Sequence, residues 1–245
     1  MAGEPRLYGD LAEWFHLLTA PEDYSEEAAL YERLLVERAN GSVEAVLELG
    51  SGGGNNASHL KRRFRLTLAD RSPEMLEISR ELNPESEHVV GDMRSLRLGR
   101  TFDAVFVHDA LAYIVSEPDL RAVFATAYEH CRPGGSALFV PDYVTETFAP
   151  DTRSGGHDSA DGERGLRYLE WVRGDAAETT HVVDFAYLLR EGDHVRTEQD
   201  RHVCGLFPRG TWIQGVEQAG FAVEVAEPQF EDPTGQVVFV CRRPA

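Results

Sequence analysis

Short apolar runs alternate with amphipathic segments through the first 140 residues of the chain. The runs occupy residues 46–49, 65–69, 88–90, 102–107 and 136–140. Strands of a parallel sheet that is covered on both faces have this near-continuous apolar character. The segments between the runs are long enough to form helices, and the alternation therefore predicts an α/β fold with a parallel sheet.

A glycine-rich stretch directly follows the first of these runs. The sequence ELGSGGG places Gly50, Gly52 and Gly54 at alternate positions, as a tight strand-to-helix turn requires. Residues 55–64 are predicted to form the following helix, with its free N–H groups directed towards a ligand. A dinucleotide site would have its third glycine one residue later, and Glu48 would repel a pyrophosphate. The absence of a following Gly-Lys-Ser/Thr excludes a Walker P-loop. The acidic Glu48 suits a cationic ligand better than an anionic one.

Acidic residues also follow the next two apolar runs. Asp70 lies 22 residues after Glu48, near the position where an α/β site places the carboxylate that binds ribose hydroxyls. Ser72 and Pro73 predict the N-cap and the first position of the next helix. The third run ends at Asp92, which is therefore expected at the same edge of the sheet as Asp70.

Together these residues resemble the motifs of the class I S-adenosylmethionine-dependent methyltransferases. ELGSGGG is similar to the first motif of that family, Asp70 to the acid after its second strand, GDM at 91–93 to the end of its third strand, and RPGG at 132–135 to the entry of its fifth. The resemblance covers about residues 7–240. It implies a Rossmann-like, seven-stranded, doubly wound sheet with S-adenosyl-L-methionine as cofactor and S-adenosyl-L-homocysteine as product.

The pattern changes after residue 140. Residues 143–164 are rich in Gly, Asp, Ser, Thr and Pro and predict a loop. Longer strands are expected at 166–172, 179–190 and 195–206, the last two joined by a hairpin turn. This pattern predicts an antiparallel insertion after the fifth strand.

The insertion divides the chain into a cofactor domain at residues 1–142 and 209–245 and a lid at 143–208. Because ligands bind at the carboxyl ends of the strands in this fold, the insertion is expected to cover the site. A dimerisation arm is the alternative. The remaining predicted elements are an amphipathic segment at 7–18, a helix that opens at Ser25 and ends at Asn40-Gly41, a helix at 209–219, and strands at 221–225 and 237–241.

Four local sequences narrow the resemblance to the amino-sugar N-methyltransferases of antibiotic biosynthesis. They are GDMRSLRLGRTFDAV at 91–105, PDYVTETF at 141–148, REGD at 190–193 and GLFPR at 205–209. Those enzymes carry an antiparallel lid and dimethylate an amine on a nucleotide-linked deoxysugar. The inserted GGHDSADGERG at 155–165 departs from their pattern. The acceptor molecule therefore stays open between an amino sugar, another amine and a natural product, and the acceptor atom between nitrogen and oxygen. The alternative outside the enzymes is a non-catalytic cofactor-binding or regulatory protein.

The resemblance also implies which residues form the site. Cofactor contacts are expected from Tyr24, Glu48, Gly50, Gly52, Asp70, Arg71, Met75, Asp92, Met93 and His108. Substrate contacts are expected from Tyr8, Tyr113, Tyr143 and His157. The candidate catalytic residues follow the fourth strand: His108 as the base for a hydroxyl acceptor, Asp109 to hold a substrate ammonium or contact the cofactor, and Tyr113, which takes the position of a histidine in the subfamily.

Composition limits the partners. The chain has 42 acidic against 24 basic residues and a net charge of −18, which argues against a nucleic-acid substrate and mildly favours a neutral or amine-bearing small molecule. Its three cysteines are scattered and its histidines are not clustered, so no metal is predicted. No apolar run approaches a membrane span and the N-terminus lacks the order of a signal peptide, so a cytoplasmic location is expected. A homodimer remains open.

Overall fold

The computed structural model describes residues 5–228 and 236–245, which form two sheets and the helices around them. The strands are β1 (Ala45–Leu49), β2 (Arg65–Asp70), β3 (Glu87–Val90), β4 (Phe102–His108), β5 (Cys131–Val140), β6 (Asp151–Gly155), β7 (Arg164–Arg173), β8 (Thr180–Glu191), β9 (His194–Gly205), β10 (Ala222–Ala226) and β11 (Val238–Arg242). The helices are α1 (Phe15–Leu18), α2 (Ser25–Arg38), α3 (Asn55–Leu60), α4 (Pro73–Leu82), α5 (Glu117–His130) and α6 (Arg209–Ala219).

The larger sheet has seven strands in the order β10-β11-β5-β4-β1-β2-β3. Strands β1 to β5 are parallel, whereas β11 runs antiparallel to both β5 and β10. The chain moves outward from β1 to β3 on one side and from β4 to β5 on the other, so the winding reverses between β1 and β4. Ligands bind outside the carboxyl ends of the strands at such a reversal. The predicted seven-stranded, doubly wound sheet is confirmed.

The central strands alternate between two hydrophobic cores. Along β4, Val105 and Val107 pack on the side of α5 and α6, near Phe124. Phe106 points the other way, towards Tyr31 of α2. All five side chains are fully buried. Because both faces of the strand are covered, its sequence is apolar without alternation.

The helix after the glycine-rich stretch is shorter than predicted. It ends at Leu60 rather than at residue 64, and residues 61–63 form turns. The next residue, Arg65, already belongs to β2, and its N–H donates to the carbonyl of Glu44 at 2.7 Å. The helix ends early because the chain must turn before it joins the sheet.

The smaller sheet, which we call the lid sheet, lies between β5 and α6 in the chain. Its strand order is β6-β7-β8-β9, with every pair antiparallel. Strands β7, β8 and β9 occur where the sequence predicts them. The predicted loop at 143–164 is wrong in part, because Asp151–Gly155 forms β6 and pairs with β7. An edge strand pairs on one side only and often carries polar side chains, so this segment has no apolar signature.

The N-terminal segment connects the two sheets. Its pieces are short helical turns at Arg6–Tyr8 and Ala12–Trp14, followed by α1. Leu11 and Trp14 pack against Leu166 of the lid sheet, and the Ser72 hydroxyl donates to the carbonyl of Tyr8 at 2.7 Å. The segment therefore holds the lid sheet against the larger one. In the described part of the chain, no helix is long and apolar enough to cross a membrane.

Candidate active site

A cavity of about 840 Å³ lies between the carboxyl ends of β1, β2 and β4 and the inner face of the lid sheet. All the predicted site residues except Met75 and His157 line it, namely Tyr8, Tyr24, Glu48, Gly50, Gly52, Asp70, Arg71, Asp92, Met93, His108, Asp109, Tyr113 and Tyr143. The fold thus brings together predicted residues that are spread from Tyr8 to Tyr143 in the chain.

The glycine-rich stretch forms one wall of the cavity. Gly50, Gly52 and Gly54 have φ values of 75°, 51° and 78°, in the left-handed region that favours glycine. The N–H of Gly50 donates to the carbonyl of Ala69 at 2.7 Å, which ties the stretch to β2. A Cβ on Gly50 would lie 2.3 Å from the Cβ of Ala110. Glycine therefore allows both the turn and its close approach to the residues after β4.

Asp70 ends β2 and faces the glycine-rich stretch. Its Oδ2 accepts the N–H of Gly52 and its Oδ1 accepts the N–H of Ser72, both at 2.9 Å. Burial raises the pKa of Asp70, and these two hydrogen bonds and the charge of Arg71 oppose that rise. Each carboxylate oxygen has more than one lone pair. Asp70 can therefore still accept hydrogen bonds from a diol in the cavity.

Glu48 lies in β1, directly before the glycine-rich stretch, and is only 4% exposed. Its Oε2 is buried and has no hydrogen-bond partner. Burial, together with the carboxylates of Asp70 and Glu27, raises the pKa of Glu48 to about 8. A buried carboxyl without a partner is destabilising unless a donor or a cation pairs with it. This part of the cavity therefore fits a positively charged ligand.

Glu48→Gln is expected to stabilise the protein without cofactor above pH 8 and to have little effect near pH 5. The pKa of Glu48 is raised from 4.5 to about 8, so its stabilising contribution is complete below pH 4.5 and is lost as pH rises through the folded pKa. The stability difference is expected to grow by about 1.4 kcal/mol per pH unit across that window. Thermal unfolding of both proteins from pH 5 to pH 9 measures it. A difference that does not change with pH contradicts this expectation.

Residues that follow β3 and β2 line another part of the cavity. Asp92 accepts a hydrogen bond from Nη2 of Arg94 at 2.5 Å, and this contact lowers the pKa of Asp92. Met93 and Arg71 line the cavity beside it. Met75 does not, because α4 directs its side chain into the core, where it is fully buried. Its Cε nevertheless lies near the glycine-rich stretch, 3.7 Å from where a Cβ on Gly52 would be, so its predicted contact with the cofactor stays a prediction.

Strand β4 ends at His108, whose ring is 7% exposed. Its Nε2 lies 3.2 Å from Oδ1 of Asp109 and 3.5 Å from Oε1 of Glu27. Asp109 has a φ of 47°, the only positive value for a non-glycine residue in the described part of the chain. Such backbone conformations cost about 1–3 kcal/mol and cluster at functional sites. The Asp109 side chain is 53% exposed and faces the cavity.

Two further carboxyl groups face the cavity near Asp109. Asp142 comes two residues after β5, and its enclosed position and the charge of Asp109 raise the pKa of Asp142 well above its usual value. Glu170 of β7 lines the same space, and burial raises its pKa as well. We refer to Asp109, Asp142 and Glu170 as the acidic wall. Asp142 was not predicted, although it lies close to the carboxyl end of β5.

The inner face of the lid sheet supplies the remaining wall. His181 is 2% exposed, its Nδ1 has no partner, and burial lowers its pKa to about 4. Tyr143 accepts a hydrogen bond from Nη2 of Arg153 at 2.9 Å. His181 was not predicted, because alternation along a strand shows which residues share a face but not which face meets the cavity. Arg153 was not predicted, because its strand was expected to be a loop.

A hydrogen-bonded chain leads from the cavity into the lid. The hydroxyls of Tyr8 and Tyr113 are 2.7 Å apart, and the hydroxyl of Tyr113 lies 2.9 Å from Nδ1 of His202. Nε2 of His202 lies 3.0 Å from Oδ2 of Asp200. Burial raises the pKa of both tyrosines well above the usual range. His202 and Asp200 lie far from both tyrosines in the sequence and gave no signal there.

His157 lies outside the cavity, and the structure does not support its predicted contact with the substrate. Its Nε2 is 3.0 Å from Oδ2 of Asp23, and its N–H donates to the carbonyl of Leu17 at 2.8 Å. It lines a smaller neighbouring pocket. The inserted loop folds onto the N-terminal segment rather than into the site. Within residues 5–228 and 236–245, no three His, Cys, Asp or Glu side chains are grouped so as to hold a metal ion.

Comparison with known proteins agrees with this geometry. The family described as a methyltransferase domain matches residues 46–135. The dTDP-3-amino-3,4,6-trideoxy-alpha-D-glucopyranose N,N-dimethyltransferase of Streptomyces venezuelae is 30% identical over 235 residues, which cover 95% of this chain and 96% of the relative. The crystal structure of DesVI from Streptomyces venezuelae has a TM-score of 0.84 and 26% identity, over 97% of this chain and 98% of that one.

A third protein shares the fold at lower identity. It is CalS10 of Micromonospora echinaspora, an amino pentose methyltransferase solved with S-adenosylmethionine bound, with a TM-score of 0.76 and 23% identity over 90% of this chain and 91% of that one. The resemblance seen in the sequence motifs is confirmed. The extent of the similarity to the Streptomyces venezuelae dimethyltransferase shows that this chain belongs to the same family, among the class I S-adenosylmethionine-dependent methyltransferases.

Proposed function

We propose that this protein transfers the methyl group of S-adenosylmethionine to the amine nitrogen of a small acceptor, an amino sugar or a related amine. The acidic wall is the observation that carries the proposal, because it faces the cavity beyond the glycine-rich stretch. Carboxyl groups of this kind attract an ammonium group. Arg153, which lies near these acids, is already paired with Asp151 at 2.8 Å.

The residues around the glycine-rich stretch would hold the cofactor. Asp70 would accept the ribose hydroxyls, Asp92 would accept from the adenine amino group, and Glu48 would face the positively charged methionine end. The remaining members of this set are Tyr24, Gly50, Gly52, Arg71 and Met93. When bound, S-adenosylmethionine supplies a methyl group on a sulfonium, which the lone pair of an acceptor displaces.

The protein's own contribution is to bind and orient the acceptor and to exclude water. Asp109 and Asp142 would hold the acceptor amine, with Tyr8, Tyr113 and Tyr143 around it. Orientation of this kind contributes much of the acceleration of a displacement reaction. His108 lines the cavity but is only 7% exposed, and its Nε2 lies 3.2 Å from Asp109 and 3.5 Å from Glu27. We assign His108 to the surroundings of Asp109 rather than to removing a proton from the acceptor.

Release of S-adenosylhomocysteine in the presence of candidate acceptors tests this proposal. The panel is dTDP-3-amino-3,4,6-trideoxy-α-D-glucopyranose, 3-amino-3-deoxyglucose and tyramine, with glucose as the acceptor that lacks an amine. We expect release with at least one amine and none with glucose. Asp142→Asn is expected to raise the KM for that amine by about tenfold or more, since a charged hydrogen bond is worth roughly 1.5–3 kcal/mol, and to leave S-adenosylhomocysteine affinity unchanged.

The matched control is Asp193→Asn, which removes a carboxylate from an exposed turn of the lid outside the cavity. It is expected to behave like the unaltered protein. Cofactor binding without release on any amine contradicts the proposal and favours a non-catalytic cofactor-binding protein. Faster release with glucose than with the amines points instead to a hydroxyl acceptor.

A further inference from the structure

We propose that His202, held by Asp200, receives the proton that the acceptor amine loses, through the hydroxyls of Tyr113 and Tyr8. This inference rests on the proposed methyl transfer to an amine. Its basis is the unbroken chain of contacts, with separations of 2.7 Å between the tyrosine hydroxyls, 2.9 Å from Tyr113 to His202 Nδ1, and 3.0 Å from His202 Nε2 to Asp200. We refer to these four residues as the relay.

The inner end of the relay fixes which atoms donate. Oδ2 of Asp200 also accepts the N–H of Leu7 at 3.0 Å, and Oδ1 accepts the N–H of Arg201 at 2.9 Å. Hydrogen bonds from His202 and Leu7 outweigh burial and hold the pKa of Asp200 below its ordinary value. Asp200 is therefore an acceptor only, and Nε2 of His202 must carry the hydrogen.

This assignment determines the direction of the other contacts. With the hydrogen on Nε2, Nδ1 of His202 is an acceptor, and Tyr113 donates its hydroxyl hydrogen to it. Tyr8 in turn donates to the hydroxyl oxygen of Tyr113. The Tyr8 oxygen then keeps its lone pairs free on the side of the cavity, which Tyr8 lines. The relay therefore presents an acceptor atom to an N–H group of the substrate.

The burial of the inner pair separates the relay from bulk water. His202 is 3% and Asp200 is 8% exposed. Two buried residues that hydrogen-bond only to each other and to the backbone would stabilise the lid, but such a pair needs no link to the cavity. The link through Tyr113 is the feature that a purely structural role leaves unexplained.

The proton transfer balances along these contacts. After the nitrogen is methylated it carries a positive charge and a surplus proton. That proton passes to the Tyr8 oxygen, the Tyr8 hydrogen passes to Tyr113, and the Tyr113 hydrogen passes to Nδ1 of His202. The tyrosines end neutral, the amine is neutral with its lone pair restored, and the imidazolium is paired with Asp200. An amine that is to be methylated twice needs this step between the two transfers.

Other ionisable groups also face His202. They are Tyr8 from the N-terminal segment, Tyr113 from the turn after β4, Glu170 from β7 and Asp200 from its own strand. The tyrosines are neutral at physiological pH. The charged group in direct contact with His202 is therefore the carboxylate of Asp200, 3.0 Å from Nε2.

His202→Gln tests the relay, because glutamine accepts the Tyr113 hydrogen bond and does not take up a proton. On the amine of the panel that the unaltered protein methylates fastest, we expect kcat at pH 7 to fall about 10²-fold or more, as for other general bases. The KM for the amine and the affinity for S-adenosylhomocysteine are expected to change less than threefold. The ratio of kcat for the unaltered protein to kcat for His202→Gln is expected to shrink as pH rises, because hydroxide can then take the proton in place of His202. Protonation of the free acceptor affects both proteins equally and cancels from this ratio.

His194→Gln is the matched control, since His194 begins the same strand and does not line the cavity. We expect it to retain full activity. Asp200→Asn is expected to lower kcat less than His202→Gln does. Equal kcat values for the unaltered protein and His202→Gln at every pH overturn the relay. A loss of kcat that is the same at every pH and is accompanied by weaker S-adenosylhomocysteine binding also overturns it.

A measurement without any acceptor separates failure of the relay from failure of the proposed function. Long-range ¹H–¹⁵N spectra of histidine-labelled protein distinguish the two imidazole tautomers, and the signals missing from His202→Gln identify His202 among the nine histidines. We expect the Nε2–H tautomer at pH 8, and Nδ1–H overturns the relay. If the unaltered protein releases no S-adenosylhomocysteine with any amine, the proposed function is contradicted. The tautomer of His202 then decides the relay by itself.

Discussion

Asp70→Ala is expected to weaken S-adenosylhomocysteine binding by at least 10²-fold. Asp70 is the acid at the end of β2, and its two oxygens already order the backbone of Gly52 and Ser72. If it also binds both ribose hydroxyls, its removal loses two hydrogen bonds to a charged group, worth about 3–6 kcal/mol together. Titration calorimetry of the unaltered and variant proteins measures the difference.

Two controls separate lost contacts from a damaged fold. Asp70→Asn keeps the size of the side chain and one acceptor oxygen, so its affinity is expected to lie between those of the other two proteins. Glu77→Ala removes an exposed acid from α4 outside the cavity and is expected to bind normally. An affinity for Asp70→Ala within threefold of the unaltered protein would remove Asp70 from the cofactor site.

Gly50→Ala is expected to lower the free energy of unfolding by about 2–5 kcal/mol and to abolish cofactor binding. The added Cβ would lie 2.3 Å from that of Ala110, so one of the two backbone segments would have to shift. The φ of 75° adds strain for any residue with a side chain. Urea unfolding and calorimetry measure the two effects.

Gly99→Ala isolates the strain from the collision. Gly99 has a similar φ of 67°, and a Cβ there would meet nothing within 4 Å. Its substitution is expected to cost about 1–2 kcal/mol and to leave cofactor binding intact. Adding Ala110→Gly to Gly50→Ala is expected to recover the part of the loss that is due to collision. Equal losses for Gly50→Ala and Gly99→Ala would show that the close approach to Ala110 has no energetic weight.

Local features of the sequence predicted the seven-stranded sheet and several of its turns. The N-cap at Ser72 is an example, since its hydroxyl accepts the N–H of Met75 at 3.0 Å and Pro73 begins α4. The glycines adopt left-handed φ values because the turn after β1 requires them. These features depend on residues close together in the chain, so their physical causes are present in the sequence.

Local sequence patterns do not show which distant parts of the chain come into contact. Strand β6 forms because β7 offers it a hydrogen-bonding edge, although its residues have the composition of a loop. Met75 follows a correctly predicted N-cap, yet the packing of α4 directs its side chain into the core. His157 is held by Asp23 and Leu17, which no local pattern connects to the inserted loop.

The sequence by itself determined the doubly wound sheet, the position of the glycine-rich stretch, and the carboxylates at the ends of the strands of that sheet. It did so because buried runs, glycine turns and strand ends are properties of consecutive residues. Only the tertiary structure decided that the lid turns His181, His202 and Glu170 towards the cavity and that Tyr8 meets Tyr113. Either face of a strand satisfies the same alternation, and the choice is made by what the sheet packs against.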